Sequence, residues 1–182
     1  ITVNEAVKKI LGSVSRLGPE TVPLLEANGR ILFEDIVSDV NIPPFDNSAM
    51  DGFAVRYEDT IDATSSAPVS LRIEGEVQAG GALPQMTVAE NRAVRIMTGA
   101  PIPAGANAVI PVEMIEEDPG GGTISVSRVM KRNENVRFSG EDIKQDQVVL
   151  AQGKKLQSAD IGLLAALNRS TVKVFRKPRV GI

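Results

Sequence analysis

Apolar positions fall into three regimes along the chain, two helical stretches at its ends and a β-patterned middle. Near the start, Val3, Ala6, Val7, Ile10, Leu11, Val14 and Leu17 recur at three- and four-residue spacing. That spacing draws one apolar stripe and predicts a helix over 2–17, opened by a Thr2/Glu5 capping box and stopped by Gly18-Pro19. Pro23–Asn28 reads as a short helix before Gly29, and Ile31–Val40 suits a strand or a short helix. Beyond residue 68 the pattern is β. Leu71 and Ile73 alternate with polar neighbours, Ala93–Met97 and Ala108–Val112 are short apolar runs, and Ile124, Val126 and Val129 follow a Gly-rich turn at 118–122. Val148–Leu150 is a further strand, Ser158 caps a last helix running to Leu167 and ended by Asn168, and Val172, Val174 and Phe175 alternate again. Val180-Gly181-Ile182 reads as the opening of a buried strand, so the chain is expected to be the N-terminal part of a longer protein.

Short strands punctuated by Gly and Pro, with helices only near the ends, predict a β-rich α+β fold whose middle is a twisted, barrel-like sheet rather than βαβ units. Helix-bearing ends that flank such a middle imply an inserted domain. The boundaries read as 1–44 with 135–178 for the outer domain, 45–134 for the insertion, and 179–182 for the start of a further one.

Composition narrows the chemistry. The 182 residues contain no Cys and no His, which removes thiol nucleophiles, disulfides, soft-metal sites and imidazole acid–base catalysis. Carboxylates, hydroxyls, Lys, Arg and backbone groups must carry any function, and a bound metal would be a hard, oxygen-liking ion. A net charge of −3, no Trp and one Tyr leave neither a basic footprint nor a stacking platform for nucleic acid. No apolar run approaches the ~20 residues that span a bilayer. No signal peptide is read either, and the expected location is cytoplasmic.

One stretch concentrates polar groups between hydrophobic anchors. Pro43–Arg56, PPFDNSAMDGFAVR, carries Asp46, Asn47, Ser48 and Asp51, with Asp51-Gly52 read as a tight turn allowing φ > 0. An ordinary Asx-rich turn needs one or two such groups, so this one reads as a functional loop. Three stretches join it. Gln78-Ala79-Gly80-Gly81 reads as a turn. Met97-Thr98-Gly99-Ala100 leaves a strand through a hydroxyl and a glycine, which suits either an oxyanion or a Pro-stiffened turn. Ser139-Gly140-Glu141-Asp142 sets two acids side by side, either solvated or sharing a cation. Arg56, Arg92, Arg95, Arg132 and Arg137 could meet an anion, although dispersed Arg is usually a solvated face. Phosphate-loop, dinucleotide and nucleophile-elbow fingerprints are missing.

Taken in order, PPFDNSAMDGFAVR, QAGG, RIMTGAPIPAGANAVIPVE, SGEDI and SADIGLLAALN resemble the N-terminal region of the molybdopterin molybdenumtransferase family, over residues 2–182. That family includes bacterial MoeA, its plant counterpart and the gephyrin E domain, and the DNSAMDG loop is nearer the bacterial form. The resemblance implies domains I and II of a four-domain protein, with irregular coiled or bifurcated sheets. It implies an elongated homodimer in which the β domain faces the pterin-binding domain of the other subunit. The implied activity is insertion of molybdate into adenylylated molybdopterin, with Mg²⁺ assisting, to give molybdenum cofactor and AMP. Carried over by motif, Asp51, Thr98 and Glu141 match polar positions tied to activity. Asp51 and Glu141 are expected to orient hydrated Mg²⁺, or the proton traffic as molybdate oxygens leave. Thr98 and the Gly99 amide are expected to hold an anionic phosphate or oxyanion, with Asn47, Ser48 and Asp142 as further substrate contacts. Without the pterin-binding domain the chain is expected to be inactive alone. The other implied role is a non-catalytic dimerisation or scaffold module of the gephyrin type.

Overall fold

A computed structural model describes residues 1–81 and 83–181. It divides into two compact units, 1–40 with 145–182 and 41–144. Residues 41–44 and 135–144 therefore group with the middle unit, whereas the sequence reading left them outside it. Their pairings show why: Ile42 bridges Ile143, and Val136–Arg137 form an antiparallel ladder with Asn47–Ser48.

In the outer unit, helix α1 spans Val3–Ser13. The capping box forms as expected, with the Glu5 amide donating to Thr2 Oγ1 at 3.3 Å and the Thr2 amide to Glu5 Oε2 at 2.8 Å. The helix stops four residues short of Leu17. Gly12 is a poor helix former, the Ser13 hydroxyl donates back to the Ile10 carbonyl at 2.8 Å, and Val14 is already extended. None of its residues is buried, so within this unit the apolar stripe of Val3, Val7, Ile10 and Leu11 is exposed.

Pro19–Pro23 is a strand that periodicity did not reveal, paired antiparallel with the expected strand Thr171–Phe175. Its prolines stand at the two ends of the segment, where Pro is tolerated in a ladder. Leu24–Glu26 is a 3₁₀ turn, and of the stretch 31–40 only Ile36–Val37 is strand, paired with Val148–Leu150. Helix α2 spans Ser158–Ala166 and is followed by Asn168 in the left-handed region at φ 57°. Its N-cap is Gln157 rather than Ser158, and the Gln157 amide donates to Asp160 Oδ2 at 2.9 Å. The strand expected from Val180 does not form in the described residues. Val180 is exposed, no neighbouring strand offers it a ladder, and Ile182 lies outside the described residues.

The middle unit holds a six-stranded sheet: β1 (Gly52–Val55), β2 (Val69–Val77), β3 (Arg92–Ile96), β4 (Ala108–Pro111), β5 (Ile115–Glu117) and β6 (Thr123–Val126). The spatial order is β4-β1-β3-β2-β6-β5, antiparallel throughout except for the parallel pair β2–β3. Edge strands β4 and β5 are joined only by the 3₁₀ turn Val112–Met114. Four peptide steps reach at most about 14 Å, whereas five interstrand spacings laid flat come to about 24 Å. The sheet must curl, and it forms an open half-barrel. This is the β-rich, two-helix architecture expected.

Strand β1 is buried along its whole length. Phe53 and Val55 point into a cluster with Leu71, Ile110, Ile124 and Met130, while Ala54 faces Val77, Val94, Ile96 and Val109 on the other side. Each large side chain here contributes about 1.5–3 kcal/mol by leaving water. Buried Thr60 ties the polar 57–68 connection to this core, accepting from the Met130 amide at 2.9 Å and donating to the Tyr57 carbonyl at 2.7 Å. Among the described residues no helix is long and apolar enough to cross a membrane.

Candidate functional site

The loop leading into β1 is clamped at both ends by its own aspartates. At the far end, Asp51 Oδ1 accepts from the Thr98 amide and from the Thr98 hydroxyl, each at 2.7 Å. These donors, the amide first, hold the Asp51 carboxyl below its usual range although the group is exposed. At the near end, Asp46 Oδ1 accepts from the Ser139 amide at 2.8 Å. One stretch of chain thus spans two turns, that of Thr98-Gly99 and that of Ser139–Asp142.

The loop's other polar groups serve its shape. Asn47 and Ser48 are buried. Ser48 Oγ donates to the Met50 carbonyl at 2.5 Å and accepts from the Met50 amide at 3.2 Å, closing a local turn. Asn47 lies in the ladder opposite Arg137 and bridges Pro101. In this unit neither side chain faces solvent, where the sequence reading set both as substrate contacts. Gly99 has φ 78°, but its amide is given to the Ser48 carbonyl at 2.8 Å. With the Thr98 amide also committed, the turn presents the Thr98 side chain and Asp51 Oδ2 to solvent rather than a pair of bare N–H groups.

Gly52 corrects another expectation. It is not at positive φ; it opens β1 against β4, where an added Cβ would lie 1.9 Å from the Ile110 carbonyl oxygen. The glycine after Asp51 serves close strand approach, not a turn.

At the Ser139–Asp142 turn, Glu141 Oε2 accepts from the Phe138 amide at 3.0 Å, and Arg137 Nη2 reaches Asp142 Oδ2 at 2.6 Å. Arg137 Nε is also 4.0 Å from Glu141 Oε1, and Asp142 raises the Arg137 pKa further above its usual value. The adjacent acids share the Arg137 guanidinium. Three of the other four candidate arginines are also engaged: Arg92 with Glu74 at 2.7 Å, Arg56 with Asp59 at 4.0 Å, and Arg95 with Glu117 while stacked 4.7 Å over Phe53. The sequence marked this turn by its adjacent acids and offered Arg137 to an anion, and the structure gives Arg137 to those acids. The anchoring of Ser139 on Asp46, 93 residues away in sequence, left no local signal.

Among the described residues no three carboxylates gather where they could hold a metal ion. Asp51 and Glu141 each spend one oxygen on backbone amides. The described residues do not fit a resident Mg²⁺.

Comparison with known proteins agrees with this architecture. Residues 1–168 match the family model of the MoeA N-terminal region, domains I and II. A molybdopterin molybdenumtransferase of Haemophilus influenzae is 41% identical over 185 residues, covering 100% of this chain and 44% of that protein. Molybdopterin molybdenumtransferase 2 of Mycobacterium tuberculosis is 39% identical over 179 residues, 98% of this chain and 44% of its own length. The crystal structure of a molybdopterin biosynthesis moeA protein from Pyrococcus horikoshii superposes with a TM-score of 0.91 at 42% identity, over 96% of this chain and 46% of that one. The chain thus spans less than half the length of the relatives it matches. It belongs to the family of MoeA N-terminal regions.

Proposed function

We propose that this chain supplies the N-terminal part of a molybdopterin molybdenumtransferase, working on molybdate and adenylylated molybdopterin in the cytoplasm. In this reading the reaction releases AMP and leaves the metal on the pterin dithiolate. One observation carries it: three of the five motifs that carry the resemblance are joined through a single loop, which holds the Asp51–Thr98 contact at one end and the Arg137, Glu141, Asp142 turn at the other. Thr98 donates twice to Asp51 and so fixes an ionised carboxylate, whose other oxygen can take a proton from a pterin thiol and pass it to the molybdate oxygen. That oxygen departs as water once it has gained both thiol protons, as the two sulfurs bond the metal. The Thr98 hydroxyl and Arg137 are the groups suited to an oxyanion. Mg²⁺, where it assists, would be carried by the substrate's phosphates and water. The pterin-binding part is supplied by sequence that relatives have beyond this chain, in a homodimer that sets one subunit's middle unit against the other's pterin site.

The test joins residues 1–182 to the remaining part of the Haemophilus influenzae relative and follows conversion of molybdopterin and molybdate to the cofactor. Asp51→Ala and Glu141→Ala are expected to abolish turnover in a folded dimer, and the unjoined chain to show none. Full turnover in either variant would overturn the reading. A second reading, a dimerisation or scaffold arm of the gephyrin type, draws on the exposed stripe of α1. Loss of self-association in Val7→Asp, with turnover unaffected by Asp51→Ala, would favour it.

A further inference from the structure

In the turn bearing Glu141 and Asp142, three of five consecutive amides go to main-chain carbonyls and two to side-chain carboxylates. The Phe138 amide is taken by Glu141 Oε2 at 3.0 Å, Gly140 by the Pro43 carbonyl at 2.9 Å, Glu141 by the Phe138 carbonyl at 3.0 Å and Asp142 by the Ile42 carbonyl at 3.0 Å. Of the five consecutive amides, only that of Ser139 is answered by an ionisable side chain from elsewhere in the unit, Asp46 Oδ1 at 2.8 Å. The Ser139 hydroxyl donates to the Pro44 carbonyl at 3.2 Å and accepts from Asn41 Nδ2 at 3.2 Å, so the same residue is gripped from three sides. Asp46 is itself fixed: its carbonyl accepts from the Ile102 amide at 3.0 Å, and Asn47 beside it enters the ladder opposite Arg137. Gly140 follows at φ 73°, where a Cβ would press to 3.0 Å on Asn41 Oδ1, leaving the turn little slack.

We propose that Asp46 is a positioning residue: through the Ser139 amide it sets the orientation of the Arg137, Glu141, Asp142 group relative to the loop that carries Asp51. It needs no contact with substrate. Its role in turnover rests on the transferase reading above, but the clamp itself does not. A charge-assisted bond from carboxylate to amide is among the stronger single hydrogen bonds, and a neutral amide oxygen in the same place retains the acceptor.

Hydrogen exchange and side-chain NMR on the full chain separate the two. Asp46→Ala is expected to speed exchange of the Ser139 amide about tenfold and to broaden the Arg137 guanidinium resonance as its pairing with Asp142 loosens, with the Thr98 amide unchanged. Asp46→Asn is expected to restore most of the protection. Should Asp46→Ala fail to fold, the unmutated chain still decides, because the Ser139 amide proton shift must follow the ionisation of a carboxylate as pH falls. Unchanged Ser139 protection in Asp46→Ala, or an amide shift indifferent to acid, overturns the proposal. In the joined protein, Asp46→Ala should lower kcat about tenfold and Asp46→Asn should largely recover it. Loss of the clamp in the NMR with undiminished turnover in Asp46→Ala would remove the catalytic consequence. No turnover in the unmutated joined protein would sink the transferase reading while leaving the clamp standing.

Discussion

Asp51 shows how a residue can be exposed and still be set. Its carboxylate accepts two hydrogen bonds from Thr98, and both favour the ionised form. The folded value therefore lies below the unfolded one. The contribution to stability is whole above the ordinary Asp pKa of about 3.9 and is lost as pH falls through the lower folded value. Urea unfolding of the chain and of Asp51→Asn should differ by a constant amount from neutral pH down to about pH 4, and converge below it. The amide is the larger cause, so Thr98→Ala, which keeps the N–H and deletes the hydroxyl, should move the Asp51 titration only part of the way back. A full return to the ordinary value in Thr98→Ala, read by carboxyl NMR, would show that the hydroxyl alone holds it.

Two glycines separate what strands require from what turns require. At Gly52 the obstacle is the backbone of β4, with the Ile110 oxygen 1.9 Å from any Cβ, and backbone cannot step aside without parting the strands. At Gly99 nothing lies within 4 Å and the only difficulty is φ 78°. Gly52→Ala should cost about 3 kcal/mol or more in urea unfolding, and Gly99→Ala about 1–2 kcal/mol. Equal costs would mean that β1 and β4 are not in close register. The same pair marks what could be read from the residues alone. The helices, the short strands and the polar loop were legible, because periodicity and punctuation are local. Pro19–Pro23 was not, because two prolines mask a strand whose register is supplied by Thr171–Phe175. The Asp51–Thr98 contact lay within reach only as two motifs expected to converge. That Asn47 and Ser48 turn inward, and that the Gly99 amide is already taken, depend on a carbonyl partner no side-chain pattern announces.

At the scale of the whole chain, the arrangement turns on how the middle unit begins and ends. Ile42 and Ile143 bridge one another, with the Ile42 amide donating to the Ile143 carbonyl at 2.8 Å, so residues 41–144 leave and return at one point. Within the outer unit, the Ser38 amide donates to the Gln147 carbonyl at 2.9 Å and the Asp146 amide to the Ser38 carbonyl at 2.8 Å. Both clusters around β1 lie wholly within 41–144, which leaves that unit a core of its own. Residues 41–144 produced alone should therefore fold cooperatively, with dispersed amide resonances and the Asp51–Thr98 contact intact. Replacing them by a short Gly-Asn turn between Val40 and Gln145 should leave the Pro19–Pro23 ladder in place. Collapsed spectra for the excised unit would mean that its half-barrel depends on the outer unit, and the clamps at Asp46 and Asp51 would then have to be understood as properties of the whole chain.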